Sequence, residues 1–118
     1  MIFLASPYSH PSANVRGERF LQAATAAGNI ILNGYNVFSP ISHSHYIFEL
    51  VPATGSSWEQ WAEINHEMID LSTEVWVLAL NGWEQSKGVA NEIEYAGATG
   101  KPVKFVNVQG EFIDDPRN

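Results

Sequence analysis

Residues 75–80 read VWVLAL, six apolar residues with no polar alternation. A strand with one wet face alternates apolar and polar side chains, so an unbroken run describes a strand covered on both faces. Covering both faces is what a parallel sheet with helices above and below it does. The flanking segments alternate as such a sheet requires. Residues 2–5, IFLA, form a short buried strand closed by Ser6-Pro7. Residues 12–33 carry helical periodicity, with Val15, Phe20, Leu21, Ala24, Ile31 and Leu32 as the expected apolar face, Ser12 as cap and Asn33-Gly34 as stop.

A second strand follows at 35–38, ended by Ser39-Pro40, then a short helix at 43–50 and a loop of turn formers at 52–57. Ser57 or Ser56 caps a helix running through residue 71, with Trp58, Trp61, Asn65, Met68 and Ser72 along one stripe. The third strand spans 74–80, a loop 81–86, a helix 87–99 and the fourth strand 103–108. Residues 110–118 read as a loose tail after a single domain over 1–109. The expected fold is α/β: a single-domain Rossmann-like (flavodoxin-like) parallel sheet of four to five strands flanked by helices.

Charge narrows the partners. Thirteen Asp and Glu against six Lys and Arg, a net charge of -7, argue against a polynucleotide surface, which depends on many phosphate contacts. A small anion remains possible, because helix N-termini can hold a phosphate through backbone amides. The absence of cysteine excludes a disulfide framework, a thiol nucleophile and a zinc site built on sulfur. No apolar run approaches the roughly 20 residues of a membrane span, and the start lacks a signal-peptide pattern, so no membrane partner and a cytoplasmic location are expected. A charged fraction of 16% is below the roughly 25% of an average domain, which is compatible with a subunit interface.

Ligands of parallel sheets bind beyond the carboxyl ends of the strands. That rule selects residues 6–10, 39–45, 81–88 and those after 108, with Ser6, Tyr8, Ser39, His43, Trp83, Ser86 and Gly88 as expected ligand contacts. Ser86 and Gly88 open the 87–99 helix, where free amides and a hydroxyl can cradle a phosphate or sugar oxygen; an ordinary cap is the alternative. Two glutamates follow. At about 100° per residue, Glu92 lies roughly 60° from Val89 and borders the inward stripe, whereas Glu94 lies roughly 140° away and faces out. His43 and His45 have no third partner for a metal, so no metal and no cofactor are expected. Those rings, Tyr46 and Trp83 could instead meet a base or simply pack.

The opening IFLASPYS, and S-x-G-V-x-x-E-I-x-x-A followed by G-K-P-V, resemble the nucleoside 2-deoxyribosyltransferase superfamily, including its nucleotide N-glycosidase members. The likeness covers most of the chain and is nearest to a small branch with PYSH and PGW-like motifs. It implies cleavage or transfer at an N-glycosidic bond, with Glu92 as the nucleophile toward the anomeric carbon. The aspartate expected on the preceding helix falls on Asn65 or its neighbour His66, within WAEINHEMID. An amide cannot be a general acid, whereas His66 could donate a proton from farther off the stripe. Geometry supports that region over Asp70, because only four residues, about 6 Å of helix rise, separate Asp70 from Glu74 and leave it near the opposite edge.

At residue 86 the chain resembles the nucleotide glycosidases, which have a serine there, rather than the deoxyribosyltransferases, which have an acid. The resemblance implies a nucleoside monophosphate over a free nucleoside, as a carboxylate would repel the phosphate. Phe3 stands near the usual place of a family tyrosine and lacks its hydroxyl. The resemblance further implies a homo-oligomer, commonly a dimer. The alternative function is a non-catalytic nucleotide-binding module of the same fold.

Overall fold

A computed structural model describes residues 1–56 and 58–117. The cap expected at Ser56 or Ser57 and the side chain of Trp58 lie outside the described residues. The chain runs β1 (Ile2–Ala5), α1 (Ala13–Leu32), β2 (Val37–Phe38), α2 (Pro40–Leu50), α3 (Trp58–Asp70), β3 (Glu74–Leu78), α4 (Lys87–Ala98), β4 (Val103–Val106) and β5 (Phe112–Ile113). The five strands form one sheet in the order β2-β1-β3-β4-β5, parallel except for the antiparallel β4–β5 pair. Ile2 pairs with Glu74 and Ala5 with Val77, while Val75 pairs with Val103 and Leu78 with Val106. The α/β, Rossmann-like expectation holds.

Successive strand residues point to opposite faces, and here both faces are apolar. Ile2, Leu4, Trp76, Leu78 and Val106 pack with Ala23, Ala26 and Ile30 of α1. Phe3, Ala5, Val75, Val77 and Phe105 face the other way, onto Ile69 of α3 and Val89 and Ala96 of α4. Each such side chain contributes roughly 1.5–3 kcal/mol when fully buried. Phe3 is fully buried against Phe38, so it serves the core.

The face of α1 corrects the reading from periodicity. Ala23, Ala26 and Ile30 are its buried residues, whereas Leu21, Ile31 and Leu32 are exposed at 59%, 58% and 84%. Small alanines seat the helix close to the sheet, and the larger residues fall outside that contact.

The carboxyl-terminal residues also differ from a loose tail. Gly110, at φ +77°, closes a turn in which its N–H donates to Asn107 O at 2.9 Å, and β5 then pairs with β4. Phe112 meets the Trp76 ring edge-on at 4.8 Å, and Arg117 lies over Phe105 at 5.0 Å while pairing with Asp115. Among the described residues, no helix is long and apolar enough to cross a membrane.

Candidate active site

The order β2-β1-β3 places β1 between strands reached by connections in opposite directions, and a crevice opens outside the carboxyl ends at such a switch point. A cleft of about 640 Å³ lies there. Ser6 and Tyr8 enter it after β1, Ser44 and Phe48 from α2, Trp61 and Asn65 from α3, and Ser86, Gly88 and Glu92 from α4.

Helix α4 begins at Ser86, whose Oγ accepts from Val89 N at 3.2 Å. This satisfies one of the free amides of the first turn while the hydroxyl hydrogen stays available. A Cβ built at Gly88 would meet only Ser86 Oγ at 4.0 Å, so glycine leaves that wall open. One turn further, Glu92 is 5% exposed. Asn65 Nδ2 donates to its Oε2 at 3.0 Å. Burial pushes the Glu92 carboxyl up to about 8, against the opposing effect of the Asn65 hydrogen bond. Burial thus favours its protonated form. Glu94 is exposed.

Glu92, Asn65, Ser6, Tyr8, Ser86 and Gly88 thus come together as expected positions. The other four stand elsewhere. His66 Nε2 is 2.7 Å from Asn91 Oδ1, and its ring stacks on Tyr95 at 3.8 Å. Ser39 caps α2, accepting from Ser42 N at 3.3 Å. His43 is exposed and lies against Phe38, and Trp83 packs edge-on against Phe105. None of these four lines the cleft. Among the described residues, none after 108 lines it either, and Asp70 accepts from Tyr95 OH on the surface.

Among the described residues, Ser6 Oγ and Arg16 Nε are buried in the cleft wall without a hydrogen-bond partner. Leaving such atoms unpaired costs about 1–3 kcal/mol each. Arg16, absent from the sequence-derived candidates, sits on the first turn of α1 and donates from Nη1 to His10 O at 2.6 Å and Pro11 O at 3.1 Å. Arg19 ties the loops after β1 and β3 together, donating to Ser9 O at 3.0 Å and Asn81 O at 3.3 Å. Lys87 also lines the cleft, whose only carboxyl among the described lining residues is Glu92. The cleft of this acidic chain is thus lined by the cations Arg16 and Lys87.

The aromatic walls, Phe48 and Trp61, were not among the expected ligand contacts, although Trp61 shares the stripe of Asn65. The spacing of Phe48 from Ser44 and of Trp61 from Asn65 is four residues in each case, one helical turn, which is the signal that could have found them.

Together these features define a small α/β protein with a cleft at the switch point of its sheet. The sequence profile of the family described as Domain of unknown function (DUF1937) matches residues 1–108, and the chain belongs to that family. No protein of curated function matches it.

Proposed function

We propose that the cleft binds a nucleoside or nucleoside monophosphate and cleaves its N-glycosidic bond, by hydrolysis or by transfer to another base. The observation that carries this reading is a buried carboxyl, Glu92, held by one amide at the strand ends inside a cleft with cationic and aromatic walls. Glu92 attacks the anomeric carbon as the bond to the base breaks, giving a glycosyl ester that water or a second base then resolves. A neutral Glu92 must first ionise. Positive charge developing on the sugar favours that ionisation, so substrate and carboxylate stabilise one another.

Phe48 and Trp61 offer apolar aromatic surface to a base, and Ser6 offers a hydroxyl to the sugar. Arg16, Lys87 and the first amides of α4 suit a phosphate, which favours a monophosphate over a free nucleoside. The sequence resemblance to nucleoside 2-deoxyribosyltransferases and nucleotide N-glycosidases supports the same chemistry.

A second reading has its own observation. Asn65 cannot give a proton and burial favours the protonated form of Glu92, which suits a nucleotide-binding module without turnover. Chromatography for free base, over a panel of nucleosides and monophosphates, separates the two. Base release lost in Glu92→Ala supports the enzyme. Thermal stabilisation by nucleotides without any base release supports the module. Release that survives in Glu92→Ala removes Glu92 from the mechanism.

The same reading carries a homodimer in the cytoplasm. The exposed apolar residues Leu32, Leu50 and Leu71 give it surface to bury. Light scattering that finds only monomer at high concentration would overturn the dimer.

A further inference from the structure

Cleavage of a glycosidic bond to a base needs a proton for the leaving nitrogen, and Asn65 has none to give. A different pair of residues meets this need in the same cleft. Tyr8 lines it from the loop after β1. Its hydroxyl oxygen lies 2.8 Å from His45 Nδ1, on α2.

Both rings are held firmly. His45 is buried and stacks on Phe20, with centroids 4.1 Å apart and planes 14° from parallel. Tyr46 meets it edge-on at 5.0 Å and 68°. Tyr8 in turn meets His45 edge-on at 5.7 Å and 84°, and Phe48 at 6.4 Å and 87°. Side chains pinned by packing keep a proton donor aimed without an ordering cost at each turnover.

We propose that Tyr8 is the proton donor to the departing base and that His45 is its positioning residue. The inference rests on the N-glycosidic reading above and supplies the acid which that reading lacks. With the His45 proton on Nδ1, the imidazole donates to the phenolic oxygen and turns the Tyr8 O–H toward the cleft. As the bond from C1′ to the base breaks, its electron pair stays on the base nitrogen and the Tyr8 proton moves there. The Glu92 carboxylate bonds to C1′.

The phenolate left behind keeps the hydrogen bond from His45, beside the Arg16 cation. When water opens the ester, its hydroxyl goes to C1′, its proton returns to Tyr8 and Glu92 leaves as carboxylate. The hydroxyl starts in the required protonated form. Burial and the charge of Glu49 raise its pKa above the usual phenolic value, while Arg16 opposes them.

The test compares two leaving groups. A guanine nucleotide needs its base protonated on departure, whereas the N7-methylated analogue already carries its positive charge on the base before the bond breaks and so releases a neutral base without a proton. Tyr8→Phe keeps the ring and its packing. It should lower kcat for the ordinary nucleotide by about 10²-fold or more and leave the methylated one within about fivefold of wild type. His45→Gln should show the same selectivity at smaller size, providing a second readout if Tyr8→Phe folds poorly.

Equal losses on both substrates would reduce Tyr8 to a wall of the cleft, and no loss on either would remove it from the reaction. Both results leave the glycosidase reading standing. Wild-type protein that releases no base even from the methylated nucleotide would overturn that reading and this one together.

Discussion

Asn65 Nδ2 and Glu92 Oε2 lie 3.0 Å apart, a hydrogen bond that joins α3 to α4 at the strand ends. The carboxyl is buried, and that amide is the partner that favours its charged form. The pair ties helix packing to the charge state of the group proposed to react.

If Glu92 must ionise, kcat/KM should rise with pH and level off above about 8, the value to which burial carries its carboxyl. Asn65→Leu removes the hydrogen bond that lowers it. The rising limb should then move upward by about one pH unit or more, since a hydrogen bond to a charged group is worth about 1.5–3 kcal/mol. An unmoved limb in this variant would detach Glu92 from the profile.

Stability should respond to the same group with a definite sign. The folded carboxyl, at about 8, holds its proton where the unfolded one, near 4.5, has lost it. The native state therefore binds more protons between those values, and stability falls as pH rises through that window. The expected slope from this group is on the order of 1 kcal/mol per pH unit. Glu92→Gln should flatten that decline in urea titrations; a curve parallel to wild type would contradict the burial of an ionisable group there.

Arg16 should discriminate phosphate from its absence. In a Glu92→Gln background, which blocks turnover, Arg16→Ala should weaken a nucleoside monophosphate by about 10- to 100-fold. The matching nucleoside should change little. Calorimetric titration of both ligands reads the difference, and equal weakening would make Arg16 a structural strut for the His10–Pro11 turn.

Gly110→Ala probes the β4–β5 turn. The residue sits at φ +77°, and a Cβ there would lie 3.2 Å from Ile30 Cγ1 and 3.3 Å from Ile30 N. Left-handed backbone alone costs a non-glycine residue about 1–2 kcal/mol, and the contact with helix backbone adds to it. Denaturant unfolding should show a loss of at least that size with the same m-value. No loss would mean that the turn can relax away from α1.

Much of this protein is legible along the chain because local physics writes it there. The VWVLAL run requires cover on both faces, and the sheet buries Val75, Trp76, Val77 and Leu78 accordingly. Ser12 and Ser86 cap the helices at which the sequence places them. Periodicity separates buried Glu92 from exposed Glu94, since both lie on one regular helix. Strand order and the carboxyl-end rule locate the cleft near Ser6, Tyr8, Ser86 and Gly88.

Tertiary packing decided the rest. Asn65 and His66 are neighbours in sequence about 100° apart on a helix, and only the docking of α3 against α4 aims one at Glu92 and the other at Asn91. Tyr8 and His45 are 37 residues apart, joined because α2 brings His45 beside the loop after β1. The face of α1 was set by how closely Ala23 and Ala26 let it approach the sheet, which no count of apolar residues contains. Local sequence determines element type and periodicity through short-range sterics and burial. Which side chains meet depends on the relative placement of whole elements, and that exists only in the folded chain.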